Sequence, residues 1–383
     1  MKGGLGVFAS AHLRELKARR AGLDPSGSDY SPSIFDFGEV LIKLPRFFGF
    51  CFGVERAIDI AYGATKTSRS ANLFVLGELI HNPNVNAELE RRGLRFLPLG
   101  DLDLLLGAND GEDIKVIVPA FGIPVELEKV LLGADIDLSS HDTTCPFVRK
   151  VWKSAERLAA QGYSILIHAK AGHEETRATF SRCKDIAPTL VIGGLEDARF
   201  LVDELIPGLG NARRTTELFE RRFSPELRGS FSPHRDFRRM AVINQTTMLA
   251  DETAQIAELF AASRGCSVAQ TGSTLCYATT RNQRATLALL DSGVDLALVV
   301  GGKNSSNTGH LAKLCGKYAR TLHVEDEREL EEDFRNFSCE HGPFRVAVIS
   351  GASCPDVVVE RVIRRILFSY GKKFDFSKLV RNF

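Results

Sequence analysis

The sequence predicts an α/β protein with parallel strands, and two patterns carry that expectation. Short apolar runs recur along the chain, and helices with apolar residues at i, i+3 and i+4 separate several of them. The runs that read as buried strands are Leu41–Leu44, Leu73–Leu76, Lys115–Val118, Ser164–His168, Leu190–Ile192, Met240–Asn244, Asp295–Val300, Thr321–Val324 and Arg345–Ile349. One intervening helix carries Val54, Ala57, Ile58, Ala61 and Tyr62; another carries Phe147, Val148, Val151, Trp152, Ala155 and Leu158. With 383 residues, 44% hydrophobic and 25% charged, the chain has material for two or three domains at ~100–200 residues each.

Composition narrows the function classes. It is near the globular average, which excludes disordered, collagen-like and coiled-coil chains. Lys+Arg number 49 against 48 Asp+Glu, a net charge of +1, so no global field draws the chain to nucleic acid or an anionic membrane. No apolar run approaches the ~18–20 residues of a spanning helix, and a soluble protein is expected. Met1–Ser10 is short and Gly-rich, unlike a secretory signal, and leads into the basic stretch His12–Arg20. There Leu13, Leu16 and Ala18 form a narrow apolar stripe, which reads as a surface helix; the basic character leaves an organelle-transit reading open.

Cysteines stand at 51, 145, 183, 266, 276, 315, 339 and 354, with no C-x-x-C pair. A chain this long needs no disulfide staples, so reduced thiols are expected. Three of them head a similar passage. Cys51, Cys145 and Cys276 each begin a helix, followed by a strand and then a polar loop: Glu78–Asn82, Ala171–Thr176 and Gly301–Asn307. From cysteine to His81, His173 and Asn304 the separations are 30, 28 and 28 residues. Ligand sites of parallel α/β units lie beyond the carboxyl ends of strands, where helices begin, and a helix start favours thiolate over thiol. Three converging thiolates suit an iron–sulfur cluster or zinc; three buried small hydrophobes are the other reading.

Eight segments extend the pattern. They are Gly49-Phe-Cys51-Phe-Gly-Val-Glu-Arg-Ala, Glu78-Leu-Ile-His81-Asn82-Pro, Asp142-Thr-Thr-Cys145-Pro, Gly172-His173-Glu-Glu175-Thr176, Asn244-Gln245-Thr246-Thr247, Leu275-Cys276-Tyr277-Ala278-Thr279-Thr280, Gly302-Lys-Asn-Ser305-Ser306-Asn307 and Ser350-Gly-Ala-Ser353-Cys-Pro-Asp356. In this order the chain resembles the 4-hydroxy-3-methylbut-2-enyl diphosphate reductase family from about residue 38 to about 370. The resemblance implies three similar α/β domains in a pseudo-threefold arrangement around a central 4Fe–4S cluster. The corresponding segments are an extension at 1–37, domains at 38–144, 145–275 and 276–370, and a tail at 371–383. It implies reductive dehydroxylation of an allylic alcohol diphosphate to isopentenyl and dimethylallyl diphosphate, the last step of the non-mevalonate route.

Matched by motif, Cys51, Cys145 and Cys276 are the cluster ligands. His81, His173, Ser305, Ser306, Asn307 and Ser353 match residues that hold the diphosphate, a role their donors suit. Glu175 matches the acid that protonates the leaving hydroxyl, and Thr246 the hydroxyl beside it, which also meets substrate. The acid's task requires a carboxyl that holds its proton near neutrality, as burial beside a diphosphate encourages. Lys303 is expected to be solvated, Asp356 to be a helix-start residue, and Cys183, Cys266, Cys315, Cys339 and Cys354 to be structural.

One departure stands out: Pro119-Ala120-Phe121-Gly122 replaces a histidine-bearing Ala-His-Gly of many bacterial members. The plant and cyanobacterial branch is similar to this chain there, in its long N-terminal region, and in an insertion near 208–239. His168 is either a replacement donor or a structural strand-end residue. The insertion carries Arg213, Arg214, Arg221, Arg222, Arg228, Arg235, Arg238 and Arg239 against Glu217, Glu220, Glu226 and Asp236. It reads as a solvated surface or as a dock for an acidic ferredoxin- or flavodoxin-type electron donor. A cytoplasmic location is expected, or the plastid stroma in a eukaryote. A paralogous iron–sulfur reductase acting on another allylic substrate is the alternative function. A zinc hydrolase is excluded by the lack of an H-E-x-x-H spacing.

Overall fold

The structure is a computed structural model that describes residues 4–67, 73–98, 101, 114–263, 266–269, 274–330, 334 and 342–381; Cys339 lies outside them. Uncharged apolar runs too short for helices form its central strands. Ser164–His168 is β6 and Leu296–Val300 is β10, each buried at every position. Alternate side chains of a strand point to opposite faces, so such strands need cover on both sides, as in parallel sheets.

The chain forms two compact units. The first comprises Met1–Leu73, Glu78–Phe96 and Tyr277–Phe383. Across its sheet lie, in spatial order, β11 (Arg320–Val324), β10, β12 (Phe344–Ser350) and β2 (Val40–Leu44), all parallel. The antiparallel strands β1 (Ser33–Asp36) and β13 (Leu379–Arg381) extend its edge. Leu296, Leu298 and Val300 pack in one cluster with Leu13 and Leu16 of α1 (Ala11–Leu23) and with Val358, Val362 and Ile366 of α11 (Asp356–Ser369). On the other face Ala297 and Val299 meet Leu289 of α9 (Tyr277–Asp291) and Leu311 of α10 (Ser306–Cys315).

The N-terminal helix forms where expected and lies at the surface: most of its residues are exposed, and of its apolar stripe Leu13 and Leu16 are fully buried while Ala18 is exposed. A narrow stripe suffices because polar contacts complete the seat. Lys17 Nζ donates to Asp356 Oδ1 and Oδ2 at 2.6 and 2.8 Å. Arg20, only 2% exposed, donates to the Ser31 carbonyl at 2.8 Å and to Asp29 at 3.0 Å.

The second unit comprises Phe74–Gly77 and Leu97–Cys276. Its four-stranded sheet is parallel throughout, in the order β7 (Thr189–Ile192), β6, β8 (Arg239–Asn244) and β9 (Ser267–Ala269). Ile165, Ile167 and Ile243 pack against Val151, Ala155 and Leu158 of α5 (Pro146–Ala160). Leu166, Leu190 and Val242 meet Phe219, Phe223, Phe231 and Phe237, with Ile256 and Phe260 of α8 (Ala250–Ala262) in the same cluster. The basic insertion is therefore anchored from beneath by four phenylalanines, and α7 (Ala212–Arg222) lies within it. Here β3 (Leu73–Leu76) pairs with β5 (Lys115–Ile117), and β4 covers Arg95–Leu97. Phe74, Leu76, Val116 and Val118 cluster there with Leu131 of α4 (Val125–Gly133).

In both larger sheets the strand order reverses beside a central strand. β6 lies between β7 and β8, and β10 between β11 and β12. Such reversals open crevices outside the carboxyl ends of the strands. Among the described residues no helix is long and apolar enough to cross a membrane.

Candidate functional site

In the second unit, the crevice beside β6 collects an acid, a hydroxyl and a cysteine. The loop after β6 ends at His173, which caps α6 (Glu174–Cys183). His173 Nδ1 accepts the Glu175 N–H at 3.1 Å, so the neutral ring carries its proton on Nε2 as a donor. Glu175 is 4% exposed, and one residue engages both its oxygens. The Thr246 N–H donates to Oε1 at 2.6 Å and the Thr246 hydroxyl to Oε2 at 2.8 Å. The Thr246 carbonyl in turn accepts the N–H of Cys276 at 3.2 Å. One turn past β8 thus ties the acid to a cysteine.

Gln245 secures that turn, a role that sequence reasoning missed. Its Oε1 accepts from the Lys170 N–H at 3.1 Å and from Thr176 Oγ1 at 3.3 Å, while its Nε2 donates to Thr247 Oγ1 at 2.7 Å. The amide stitches the loop after β6 to the loop after β8. Its signal in the sequence was its place inside the Asn244–Thr247 segment. Cys145 caps α5, and its N–H donates to the Ala120 carbonyl at 2.8 Å.

In the first unit, the crevice between β10 and β12 builds a cradle of polar groups around the start of α10. Ser305 caps that helix: its hydroxyl accepts the Thr308 N–H at 3.3 Å and the Thr308 hydroxyl at 3.0 Å. Ser353 Oγ lies 3.4 Å from Ser305 Oγ and donates to the His81 carbonyl at 3.2 Å. Close approach demands glycine at two places. A Cβ on Gly351 would sit 2.1 Å from Thr308 Oγ1, and one on Gly302 would sit 2.8 Å from the His81 carbonyl oxygen. Ser306 and Asn307 occupy the first turn of α10, where backbone N–H groups and the helix dipole favour an anion. Asn307 is 4% exposed, and neither Nδ2 nor Oδ1 has a hydrogen-bond partner among the described residues. A buried polar group left so costs ~1–3 kcal/mol, which marks Asn307 as built for a bound polar ligand.

His81 is held by Glu78, the second residue the sequence reading left without a role. Nδ1 lies 2.9 Å from Glu78 Oε2; a carboxylate only accepts, so Nδ1 carries the proton. The same oxygen accepts the Asn304 amide at 2.7 Å. The next residue, Asn82, caps α3 (Pro83–Arg91) by accepting the Val85 N–H at 3.2 Å, which fixes the backbone beside His81. Cys51 precedes α2 (Phe52–Thr67), and its N–H donates to the Ala352 carbonyl at 3.1 Å, next to Ser353.

The thiols answer whether a metal group fits. None of the seven described cysteines is in a disulfide. Burial pushes the Cys145 thiol above its usual range, and nearby Cys276 and Glu175 push the same way. The N–H groups of Phe147 and Val148 pull it down. The helix start does favour thiolate, as expected, but at Cys145 burial opposes it and outweighs the two N–H groups. A cation reverses the balance, because a coordinated thiol is deprotonated outright. Cys145 and Cys276 therefore fit a soft, positively charged group. Cys183 and Cys315 are buried among apolar side chains, as expected of structural cysteines, and burial pushes both up to about 12; Cys354 shifts the same way.

The remaining candidates have structural surroundings. His168 is fully buried at the end of β6, with Nδ1 3.0 Å from Thr253 Oγ1. Lys303 is exposed, as expected, and its Nζ pairs with Glu329 at 2.9 Å. Asp356 starts α11 and holds Lys17. Phe121, 7% exposed, sets its ring edge-on to the His173 imidazole, centroids 6.3 Å apart. Among the described residues, half of the insertion's eight arginines pair with acids, Arg213 with Glu217 at 3.1 Å being one. Arg222 meets Asp197 at 2.7 Å and Glu196 at 2.8 Å, Arg228 meets Glu220 at 2.9 Å, and Arg235 meets Asp236 at 2.7 Å.

Comparison with known proteins places this geometry among relatives. The LytB protein family matches residues 42–367. The 4-hydroxy-3-methylbut-2-enyl diphosphate reductase of Synechococcus sp. (strain CC9605) is 37% identical over 360 residues, covering 87% of this chain and 86% of that protein. The protein of the same name from Prochlorococcus marinus (strain MIT 9211) is 36% identical over 359 residues, covering 87% and 86%. Among solved structures, the E-1-hydroxy-2-methyl-but-2-enyl-4-diphosphate reductase from Plasmodium falciparum shares the fold with a TM-score of 0.66 at 22% identity, covering 85% of this chain and 87% of that one. An (E)-4-hydroxy-3-methyl-but-2-enyl diphosphate reductase, described as the terminal enzyme of the non-mevalonate pathway, aligns with a TM-score of 0.51 at 26% identity, covering 85% and 99%.

Proposed function

The chain belongs to the LytB protein family, and on that premise we propose that it reduces 4-hydroxy-3-methylbut-2-enyl diphosphate to isopentenyl and dimethylallyl diphosphate. The net change consumes two electrons and two protons, breaks the allylic C–O bond and releases water. Cys51, Cys145 and Cys276 would hold a 4Fe–4S cluster, as a centre for three similar α/β modules. When bound, that cluster would supply the two electrons, received from a ferredoxin- or flavodoxin-type donor, and a Lewis acid at the iron lacking a protein ligand.

The chain's own residues supply binding and protons. Substrate diphosphate would lie at the start of α10, against Ser305, Ser306, Asn307 and Ser353. His173 would donate from Nε2–H, and His81, when protonated against Glu78, from its own Nε2–H. Fixed N–H and O–H donors of this kind bind a multiply charged anion without reorganising. Glu175 would give its proton to the departing hydroxyl, which leaves as water, with the Thr246 hydroxyl as the contact through which that proton is steered. The second proton, to carbon, would come from the substrate's own diphosphate. Phe121 stands where many family members carry a further histidine, and its ring packs His173 instead of adding a donor.

The observation that carries this reading is the chain Glu175–Thr246–Cys276, in which one residue clamps both oxygens of a buried carboxyl and also fixes a cysteine. The test is anaerobic turnover of the allylic diphosphate with a chemical reductant, read as the two isomeric products. Complementation of a strain lacking the reductase separates this substrate from another allylic one. A chain that retains iron yet neither turns over this substrate nor complements would refute the assignment.

A further inference from the structure

The first unit contains a cleft of about 270 Å³ that has Cys51 in its lining and shares no residue with the α10 cradle. Two of its walls present buried donors. Arg46, just beyond β2, is 7% exposed, and Asn282, in the second turn of α9, is 6% exposed. Arg46 Nε and Asn282 Nδ2 have no hydrogen-bond partner among the described residues. Leaving two such groups unmet is unfavourable, and both line the same space.

Charge points the same way. The Phe47 ring carries the Arg281 guanidinium at 3.7 Å and that of Arg46 at 4.8 Å, so two like charges share one aromatic surface. Burial lowers the Arg46 pKa, Asp24 and Asp29 pull against that shift, and repulsion from Arg281 adds to it. An anion in the cleft would relieve that repulsion. Phe52 and Tyr277, the first residues of α2 and α9, line the cleft as well, which places two helix N-termini at its wall. Lys17 faces it but is held by Asp356. Glu55 is its acid, and burial raises that carboxyl toward the neutral form.

We propose that this cleft is a second anion site, separate from the cradle at α10, and that it takes a phosphoryl or diphosphoryl group. Guanidinium and amide N–H groups are the donor set that recognises phosphate oxygens. Free pyrophosphate and the head of an isoprenyl diphosphate share this chemistry. The exposed rings of Phe52 and Tyr277 offer apolar cover to the tail of the second.

Calorimetric titration of the anaerobically purified full-length chain with pyrophosphate, and separately with dimethylallyl diphosphate, counts the sites. Two per chain are expected. Arg281→Met and Asn282→Leu should each weaken one of them by ~10–100-fold while turnover is unchanged, and Asn307→Leu should weaken the other. Equal affinity for the two ligands assigns the cleft to the diphosphate group alone, and tighter binding of the ester assigns it to isoprenyl diphosphates; both keep the phosphoryl site. A single site that is lost in Asn307→Leu and untouched by the two cleft variants would overturn the proposal. So would a cleft that answers only to an acidic electron-carrier protein. Two sites that both survive Asn307→Leu, with one lost in the cleft variants, would remove the cradle and keep the cleft, so the two readings fail separately.

Discussion

Replacing Asn307 by leucine should make the ligand-free protein more stable and its substrate binding worse. The amide is 4% exposed, with neither end hydrogen-bonded among the described residues. Each such group costs ~1–3 kcal/mol, and leucine has similar bulk with nothing to satisfy. The ligand-free variant should therefore gain ~1–3 kcal/mol, read as a higher denaturant midpoint under anaerobic conditions. Substrate binding should move the other way. Hydrogen bonds to a charged group are worth ~1.5–3 kcal/mol, so affinity for the allylic diphosphate should fall ~10–100-fold. Opposite signs in the two assays are what a ligand-binding residue produces and a core residue does not. A variant that unfolds more easily and binds substrate as before would refute the assignment of Asn307 to the cradle.

Three further outcomes follow from the same contacts. Glu175→Gln keeps an acceptor for the Thr246 N–H but has no proton to give, so turnover should fall by ~10²–10⁴-fold with the iron spectrum unchanged; a near wild-type rate would sink the acid role. Gly351→Ala places a Cβ 2.1 Å from Thr308 Oγ1, which should cost ~1–3 kcal/mol and raise KM, and an unchanged KM would show that α10 does not bind the diphosphate. The Cys183 and Cys315 thiols are raised by burial from 9.0 to about 12, so the folded chain keeps protons that the unfolded chain releases. Their contribution is complete below pH ~9 and is lost as pH rises toward ~12. The denaturant midpoint of the reduced chain should decline over that window, and Cys183→Ala should flatten the decline; an unaltered slope would contradict the burial argument.

The strands were legible because a parallel sheet covered on both faces needs unbroken apolar runs. Leu73–Leu76 and Ser164–His168 are strands with the limits their sequence suggests. β1 and β13 escaped for the converse reason: at the edge of the sheet Ser33–Asp36 and Leu379–Arg381 mix polar and apolar residues with no long run. The stripe that seats α1 was legible, but the holds on Lys17 and Arg20 were not, because Asp356 and Asp29 are partners that helix periodicity does not reveal.

The site divides in the same way. Cysteines at helix starts and polar loops after strands announce themselves by residue type and spacing. Glu78 and Gln245 do not, since Glu78 is one acid among many until His81 and Asn304 converge on it. Gln245 gains its role only when the loops after β6 and β8 lie side by side. At Cys145 the pull of the helix-start N–H groups was legible, and the burial that opposes it is revealed only by packing.

The most direct measurement is the Mössbauer spectrum of chain purified without oxygen, taken on the wild type and on variants with serine at Cys51, Cys145 or Cys276. The account predicts a 4Fe–4S signature in the wild type that each substitution abolishes or degrades. Iron-free wild-type protein after reconstitution, or a cluster that survives all three substitutions intact, would contradict it.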